Sequence, residues 1–409
     1  MIPDDNRFES DPEQALSEEP PLPPGWEIGG VDATVEADVE QLTTLLQRHE
    51  EGARGWASSG RDDVLVEIEG TRMRENVVVR DPGGVIRAWG SVHDRAAGRM
   101  LFVHIVARDL PEPVADKCST VLFEWAEAQA REVGAARGLA TQQIDTGAFA
   151  ADERQHKWLE GGGFARVRTW WQMTRPVTLD ESDLVPDPDF WEADGVTVRL
   201  VRREGSGMPD RGDLEEVHQV IEGSFTDHFN HREETFAEFV HRLREDPGHR
   251  WDHWWLAEID RAAEAAPSLI EPAESAPSSV EHAESGSSLV EPVETPPRDE
   301  AESGGRVPPR DEAVYRDPVG ALVATASESP EGPDGSYVAY IGVLGTARGR
   351  GVATKLLQTV VADAAARGRN RVTLEVDADS PTGAQSLYTG MGWATSYVTE
   401  SWHRDVPVQ

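Results

Sequence analysis

The sequence predicts an α/β protein made of two similar mixed α/β domains, and three observations lead to this prediction. The chain has 409 residues, and a single hydrophobic core rarely grows beyond about 250 residues. Segments of alternating apolar residues, which are typical of strands, are interspersed with segments of helical periodicity. The same order of these segments occurs twice along the chain. Two tandem copies of one mixed α/β unit therefore explain the chain most economically.

Three segments of biased composition divide the chain. Residues 1–24 are acidic and proline-rich, and we expect a disordered arm there. Residues 176–194 have the prolines and acidic residues of an interdomain linker. Residues 262–312 include three consecutive ten-residue units rich in Pro, Glu and Ser. They predict a disordered acidic insert, with a docking segment for a partner as the alternative. Two domains remain, 25–175 and 195–409.

Each domain has its own series of predicted elements. The second has strands at VTVRLV, WWLAEI, GALVATAS, YVAYIGV, RVTLEV and TSYVTESW, and helices at DLEEVHQVIEGSF, REETFAEFVHRLRE and after Gly351. The first has strands at VVVRD, GVIRAWGSV, LFVHIVA, LATQQID and RVRTWWQMT, and helices around Cys118 and from Asp152. The single cysteine, Cys118, excludes an intrachain disulfide, and its helical surroundings predict a buried structural thiol.

The charge balance limits the possible partners. Asp and Glu number 75 against 39 Lys and Arg, a formal net charge of −36. A protein of this charge cannot bind nucleic acid mainly by neutralising phosphates. The acidic surface serves solubility and would favour a cationic substrate such as an amine. The chain also has no run of about 18 apolar residues that could span a membrane, so we expect a soluble cytoplasmic protein.

A loop rich in glycine and arginine separates a predicted strand from a predicted helix. It lies within VLGTARGRGVATKLL, residues 343–357. Free backbone N–H groups and the helix dipole make such a helix N-terminus an anion site. Gly349 and Gly351 let the backbone approach a bulky ligand, and Arg348 and Arg350 add positive charge. The loop therefore predicts a phosphate or pyrophosphate ligand, with a basic loop that only caps the helix as the alternative.

Two common phosphate-binding patterns do not fit this loop. The P-loop needs Lys followed by Ser or Thr after its second glycine, whereas Thr354 and Lys355 are in the reverse order and misplaced. A dinucleotide-binding pattern that starts at Gly349 would need glycine where Thr354 stands. We therefore exclude both.

The loop instead resembles the acyl-CoA signature Arg/Gln-x-x-Gly-x-Gly/Ala of the Gcn5-related N-acetyltransferase (GNAT) superfamily, matched by Arg348, Gly351 and Ala353. The resemblance implies two tandem GNAT-type domains, each with a mixed, largely antiparallel sheet flanked by helices. It also implies acetyl-CoA as co-substrate. The residues expected to bind it are Val343, Leu344, Arg348, Gly349, Arg350, Gly351, Val352, Ala353 and Ser380.

A second stretch, LEVDADSPTGAQSLYTGMGW at 374–393, is similar to the last motif of that family. In the family, the tyrosine that matches Tyr388 protonates the departing CoA thiolate. The alternative for Tyr388 is core packing with its hydroxyl on a backbone carbonyl. Ser380 stands where the family most often has Asn, and we expect it to cap the following helix, with Pro381 at the first helical position.

The resemblance implies transfer of an acetyl group from acetyl-CoA to a primary amine of a small molecule or peptide, with the active site in the C-terminal domain. A backbone N–H near Val343 would polarise the thioester carbonyl, and the amine would attack directly. The alternative is a non-catalytic acetyl-CoA-binding or scaffold protein whose acidic insert recruits a partner.

The first domain keeps the order of elements but departs from both motifs. Its RDLPEPVADKC has two prolines, three acidic residues and no glycine where a pyrophosphate loop should lie. Leu159 aligns with Tyr388. We therefore predict a degenerate domain that supports the second domain and forms one wall of its substrate cleft. This arrangement resembles that of tandem actinobacterial acetyltransferases, including mycothiol synthase, although Tyr337 stands where that enzyme carries its glutamate base.

Three residues are candidates for the general base, namely Glu375, Asp227 and His228. Glu375 lies on a strand beside the expected cleft, and the other two lie between the early helices of the second domain. The histidines of this region, His228, His231, His241, His249 and His253, lack the tight spacing of metal ligands. We therefore expect no metal site.

Overall fold

The computed structural model describes residues 22–69, 74–95, 98–203, 209–225, 235–244, 249–260, 316–327, 334–380 and 383–408. Most of the predicted arm and all of the predicted insert lie outside these residues. Residues 1–258 and 318–409 form one compact unit, and residues 259–317 form another. Of the second unit only 259–260 and 316–317 are described, and there Arg316 Nε lies 3.1 Å from Asp260 Oδ1.

The helices are α1 (Glu36–Arg54), α2 (Arg61–Ile68), α3 (Glu112–Ala136), α4 (Glu153–Gly161), α5 (Arg211–Ser224), α6 (Phe236–Arg244), α7 (Val352–Ala366) and α8 (Ala384–Gly390). The strands are β1 (Glu27–Gly29), β2 (Arg74–Arg80), β3 (Ile86–Asp94), β4 (Arg99–Val106), β5 (Thr141–Phe149), β6 (Ala165–Pro176), β7 (Phe190–Ala193), β8 (Val196–Leu200), β9 (His249–Asp260), β10 (Arg316–Ser327), β11 (Gly335–Val343), β12 (Arg371–Asp377) and β13 (Ala394–Pro407). Short 3₁₀ helices cover Leu179–Leu184 and Gly345–Ala347. None of the described helices is long and apolar enough to cross a membrane.

Local sequence accounts for where several helices begin. The carboxylate of Asp152 accepts the N–H of Gln155 at 3.2 Å and caps α4. Asp210 does the same for α5, where it accepts the N–H of Asp213 at 3.0 Å. α3 has proline in its first turn, where the missing N–H costs no hydrogen bond. Cys118 on α3 is buried as predicted, and burial raises the pKa of its thiol to about 11.

All strands join one sheet in the order β1-β2-β3-β4-β5-β13-β6-β12-β11-β10-β9-β8-β7. The pairs β4–β5 and β11–β12 are parallel. The pairs β1–β2, β2–β3, β3–β4, β5–β13, β13–β6, β6–β12, β10–β11 and β7–β8 are antiparallel. The predicted fold class, a mixed and largely antiparallel sheet flanked by helices, is confirmed.

The order of strands at the centre of the sheet shows an exchange between the two halves of the chain. β6, the last strand of the first half, lies between β12 and β13 of the second. β13 in turn lies between β5 and β6, and residues 399–407 pair with residues 141–149. The final strand of each half therefore completes the other half of the sheet. The predicted boundaries 25–175 and 195–409 describe sequence segments and stay a prediction.

β11 and β12 form a parallel pair over only part of their length. Their paired residues are Ser336 to Val338 on β11 and Val372 to Leu374 on β12. β11 then continues to Val343, and β12 continues to Asp377. The two strands thus have an unpaired end beside α7. β4 and β5 have the same feature in the first half, where pairing stops at Phe102 and Thr146.

Candidate active site

The loop after β11 leads into the N-terminus of α7 through the 3₁₀ helix Gly345–Ala347. Gly349 and Gly351 have φ of 77° and 74°, a conformation that favours glycine. Gly351 is the N-cap of α7, and no side chain among the described residues caps the helix. The N–H groups of the first turn, which include those of Val352 and Ala353, therefore point out of the helix without an intrahelical acceptor. This is the geometry of an anion site.

Charged and apolar side chains border this helix N-terminus. Arg348 and Arg350 are exposed, and neither forms an ion pair with another described residue. Ala347 and Val352 are buried and anchor the loop against the core, whereas Leu344 is half-buried. The loop thus holds two unpaired guanidinium groups next to uncapped N–H groups, and both attract an anion.

The N–H of Val343 points toward the side of β12. Val343 faces Gly320 of β10, and the N–H of the next residue, Leu344, donates to the carbonyl oxygen of Val319 at 2.9 Å. In an antiparallel pair, successive N–H groups alternate in direction. Since that of Leu344 points to β10, that of Val343 points away from β10, into the opening between β11 and β12.

Tyr388 lies on α8 and is 7% exposed. Its ring contacts Trp393 edge to face, with 6.3 Å between the ring centroids. Burial raises the pKa of Tyr388 to about 12. Within the described chain its hydroxyl forms no hydrogen bond, so the alternative of a backbone carbonyl partner is not observed there. The hydroxyl is a protonated donor at any physiological pH.

Ser380 follows β12, and its N–H donates to the carbonyl oxygen of Asp377 at 3.2 Å. The prediction that Ser380 caps the next helix is wrong. α8 begins at Ala384, and its N-cap is Gly383 with φ of 66°. The turn is longer than predicted because a glycine in the left-handed conformation starts the helix. Pro381 lies outside the described residues.

Glu375 is the first residue of β12 beyond its pairing with β11. Its strand neighbours Leu374 and Val376 are buried, whereas Glu375 points to the opposite face of the sheet and reaches solvent. There it accepts a hydrogen bond from the amide of Gln172 on β6. Desolvation by the surrounding protein raises the pKa of Glu375, Asp377 raises it further, and the bond from Gln172 opposes the shift.

Side chains from both halves of the chain lie near this carboxylate. Gln172 Nε2 also donates to Thr399 Oγ1 on β13 at 3.2 Å. Tyr397, two residues before Thr399, pairs with Gln172 across the sheet and accepts a hydrogen bond from Arg54 Nη1 at 2.8 Å. The guanidinium of Arg54 lies 3.8 Å from the ring centroid of Trp56. α1 and the loop after it thus reach the face of the sheet on which Glu375 lies.

The corresponding opening in the first half holds protein side chains. The guanidinium of Arg154 on α4 donates to the carbonyl oxygens of Val106 and Ala107, at 2.9 and 3.2 Å. The first turn of α3 carries Glu112, a negative charge where a phosphate would have to lie. Leu159, the counterpart of Tyr388, is fully buried. The residues here do not form an anion site.

The other predicted candidates do not join this site. Asp227 and His228 lie outside the described residues, as does His231. His253 is buried and His249 is half-buried, and desolvation is the main cause that lowers the pKa of each to about 4. In the part of the chain that the structure describes, no group of three or more His, Cys, Asp or Glu side chains could hold a metal ion.

Sequence reasoning did not single out Gln172, Tyr397 or Arg54. The available signal was a glutamine next to the two tryptophans in the strand segment RVRTWWQMT, since an amide removed from water needs a hydrogen-bond partner. The partner itself could not be identified, because Gln172 and Glu375 are 203 residues apart in the chain.

Residues 284–393 match the model of the acetyltransferase (GNAT) family. No protein of curated function matches the chain. A GCN5-related N-acetyltransferase from Sphaerobacter thermophilus is similar in structure, with a TM-score of 0.63 and 20% identity over 94% of this chain and 97% of that one.

Two further solved structures share the fold. A tandem GNAT protein from the clavulanic acid biosynthesis pathway has a TM-score of 0.56 and 12% identity, over 93% of this chain and 98% of that one. The N-myristoyltransferase of Saccharomyces cerevisiae with bound myristoyl-CoA has a TM-score of 0.50 and 10% identity, over 98% of this chain and 84% of that one.

The fold is that of tandem GNAT proteins, with two similar halves in one chain. The match to the GNAT family model is limited to residues 284–393, the part of the chain that contains the glycine and arginine loop. The narrower likeness to mycothiol synthase stays a prediction.

Proposed function

We propose that the chain transfers an acetyl group from acetyl-CoA to a primary amine, carried by a small molecule or a peptide, at one site in its C-terminal half. The observation that carries the proposal is the opening between β11 and β12, which leads directly to the uncapped N-terminus of α7. A thioester in the opening would extend toward a pyrophosphate at the helix. This matches the shape of an acyl-CoA, which carries its reactive group and its phosphates at opposite ends of a flexible arm.

The backbone supplies most of the binding groups. The N–H groups of Val352 and Ala353, with Arg348 and Arg350, would hold the pyrophosphate. The N–H of Val343 would donate to the thioester oxygen and stabilise the negative charge that develops there on attack. The remaining predicted contacts, Leu344, Gly349, Gly351 and Ser380, would border the same path.

Tyr388 would donate its proton to the sulfur of CoA as the C–S bond breaks. Its raised pKa, about 12, keeps the hydroxyl protonated before the reaction. A buried hydroxyl without a partner in the described chain is also available to a ligand atom. The mechanism needs no protein nucleophile, because the amine attacks the thioester carbon itself and the enzyme brings both reactants together.

Calorimetric titration of acetyl-CoA tests the site. We expect one binding site per chain and loss of binding in Gly351→Asp, because the new carboxylate would take the N–H groups of the first turn and repel phosphate. Gly368→Asp is the matched control. It lies just beyond the other end of α7, also at positive φ, 72°, and an added Cβ meets nothing within 4 Å there.

Two sites per chain would contradict the proposal that the first half is inactive. Equal affinity in parent and Gly351→Asp would place the phosphates elsewhere. Release of free thiol from acetyl-CoA in the presence of a panel of primary amines then tests the reaction. Binding without transfer to any amine would leave an acetyl-CoA-binding protein.

A further inference from the structure

We propose that Glu375 takes the proton from the acceptor amine, and that Gln172, from the first half of the chain, holds this carboxylate in place. The inference rests on the proposed function and deepens it by assigning a base and a class of acceptor. The acceptor is an amine that arrives as a cation.

The position of Glu375 on the strand is the first argument. It follows the last residue of β12 that pairs with β11, so it stands where the opening for the thioester begins. Its side chain points to the face of the sheet opposite that of Leu374 and Val376. Gln172 and Tyr397 share this face, because both stand in register with Glu375 across β6 and β13. An amine that enters along this face meets Glu375 before it meets the thioester.

The hydrogen bonds of Glu375 are the second argument. The amide of Gln172 engages one carboxylate oxygen, Oε2, and it is itself held by Thr399 Oγ1 at 3.2 Å. The other oxygen, Oε1, has no protein partner within the described residues. One oxygen is thus fixed while the other is available, which is how a positioned base accepts a proton.

The charges around Glu375 are the third argument. Two cations lie on this side of the sheet. Arg168 of β6 lies 3.8 Å from Asp377. The N–H groups of Arg54 donate to Tyr397, Trp56 and Ser58, and Arg54 pairs with Glu50 at 3.0 Å. Arg54 therefore positions Tyr397 and does not neutralise Glu375, which forms no ion pair in the described chain. A carboxylate in a cleft without a counter-ion attracts an ammonium group.

The proton balance is complete without a further reactant. The ammonium group gives one proton to Glu375, and the nitrogen lone pair then forms the C–N bond with the thioester carbon. When the C–S bond breaks, the electron pair leaves on sulfur, and Tyr388 donates its proton to the thiolate. The nitrogen loses its second proton to solvent, which reprotonates Tyr388, and Glu375 releases its proton to solvent. The products are the amide, CoA thiol and one proton.

The titration of Glu375 should determine how kcat/KM falls toward acid pH. The titratable and charged groups on its face are Asp377 on the same strand, Arg168 on β6 beside Asp377, Tyr337 on β11, and Tyr397 on β13 with Arg54 and Glu50 from α1. Its raised pKa means that the carboxylate is protonated, and inactive as a base, over a wider range of acid pH than an ordinary glutamate. Activity should therefore rise with pH through this value.

Glu375→Gln tests the role of Glu375 as base, with two acceptors compared. One is the alkyl amine of the panel that the parent acetylates best. The other is hydroxylamine, a nucleophile that is already neutral at neutral pH and needs no base. We expect kcat/KM for the alkyl amine to fall by about 10²- to 10⁴-fold, and that for hydroxylamine to fall far less. Affinity for acetyl-CoA should not change. Asp405→Asn, an exposed carboxylate on the same sheet, is the control.

Gln172→Leu tests the hydrogen bond that holds Glu375. Removal of the amide donor destabilises the charged carboxylate, so the acid limb of kcat/KM should move to higher pH while the maximal rate is kept. A purely structural role for Gln172 would lower activity equally at every pH.

Three results would overturn the inference. Glu375→Gln with the parent pH profile would show that another group takes the proton. Loss of acetyl-CoA binding in Glu375→Gln would make the residue structural. If the parent acetylates no amine although it binds acetyl-CoA, the proposed function fails, and the role of Glu375 fails with it.

Discussion

At the scale of single residues, desolvation by the surrounding protein shifts the pKa values of Tyr388 and Glu375 in the same direction. Desolvation disfavours the charged form of each, so the pKa of Tyr388 rises to about 12 and that of Glu375 rises as well. For the tyrosine this secures a proton to give. For the glutamate it makes a better base. The two ends of the proposed reaction therefore depend on one physical effect.

Tyr388→Phe tests the acid role. We expect kcat to fall by about 10²- to 10⁴-fold, because the thiolate would have to leave without a proton. Affinity for acetyl-CoA should be kept, since the ring still packs on Trp393. Steady-state rates and calorimetry measure both. In the parent, Tyr388 should stay protonated at moderately alkaline pH, so its ionisation should not lower the activity there. A Tyr388→Phe variant as fast as the parent would show that Tyr388 is not the acid.

Prediction from sequence succeeded for residues that act within one local element. The helix after Gly351 was predicted from its apolar spacing, and α7 begins at Val352. The ligand contacts of Gly349 and Gly351 stay a prediction. It was wrong for the cap at Ser380, because the left-handed conformation of Gly383 could not be distinguished in a turn with several candidates. It did not find Gln172 or Arg54, because no local pattern links them to a carboxylate more than 200 residues away.

At the scale of elements, the parallel pair with an unpaired end is the feature that makes a site. Both halves have it, but in the first half Arg154 of α4 binds the carbonyl oxygens at the end of β4. Helix α3 begins there with an acidic turn, whereas α7 begins with glycine and has no acidic residue in its first turn. The difference between the halves therefore lies in the loops and caps and not in the strands.

β4 and α3 are joined by a buried pair that should make stability depend on pH. His104 Nε2 lies 3.0 Å from Ser119 Oγ, and burial lowers the pKa of His104 to about 3. The unfolded chain takes up this proton near pH 6.5, so the stability is complete above that pH and is lost as the pH falls toward 3. The slope reaches about 1.4 kcal/mol per pH unit for one group.

Urea unfolding at several pH values between 7 and 4 measures this effect. We expect the free energy of unfolding to fall with pH, and His104→Gln to reduce the slope even if it lowers stability at neutral pH. His253, whose pKa is lowered to about 4, should retain its own contribution in that variant. An identical slope in parent and variant would contradict the assignment.

At the scale of the whole molecule, the exchange of β6 and β13 makes the two halves one cooperative sheet. Local periodicity predicted most strands and helices, and a family resemblance predicted the tandem arrangement. Neither could predict the exchange, because β5 would accept its own neighbour β6 or the distant β13 with the same alternation of side chains. Strand order depends on long-range pairing that a local pattern does not contain.

Val406→Ala tests that cooperativity. Val406 belongs to β13 but is fully buried in the core of the first half. Its truncation should lower the free energy of unfolding by about 2 kcal/mol. The whole chain should still unfold in one transition, at a lower temperature. Calorimetry and tryptophan fluorescence should report the same midpoint before and after the change. Two transitions, of which only one moves, would show that the halves unfold independently.

The exchanged strand also constrains how the protein is made. Domains commonly fold in order as they leave the ribosome, but here β5 pairs with residues 399–407, which are translated long after it. Until then the edge of β5 is open, and open edges invite pairing with other chains. The first half is therefore the part of a nascent chain that most needs a chaperone, and slow release of the last strand would be a route to aggregation.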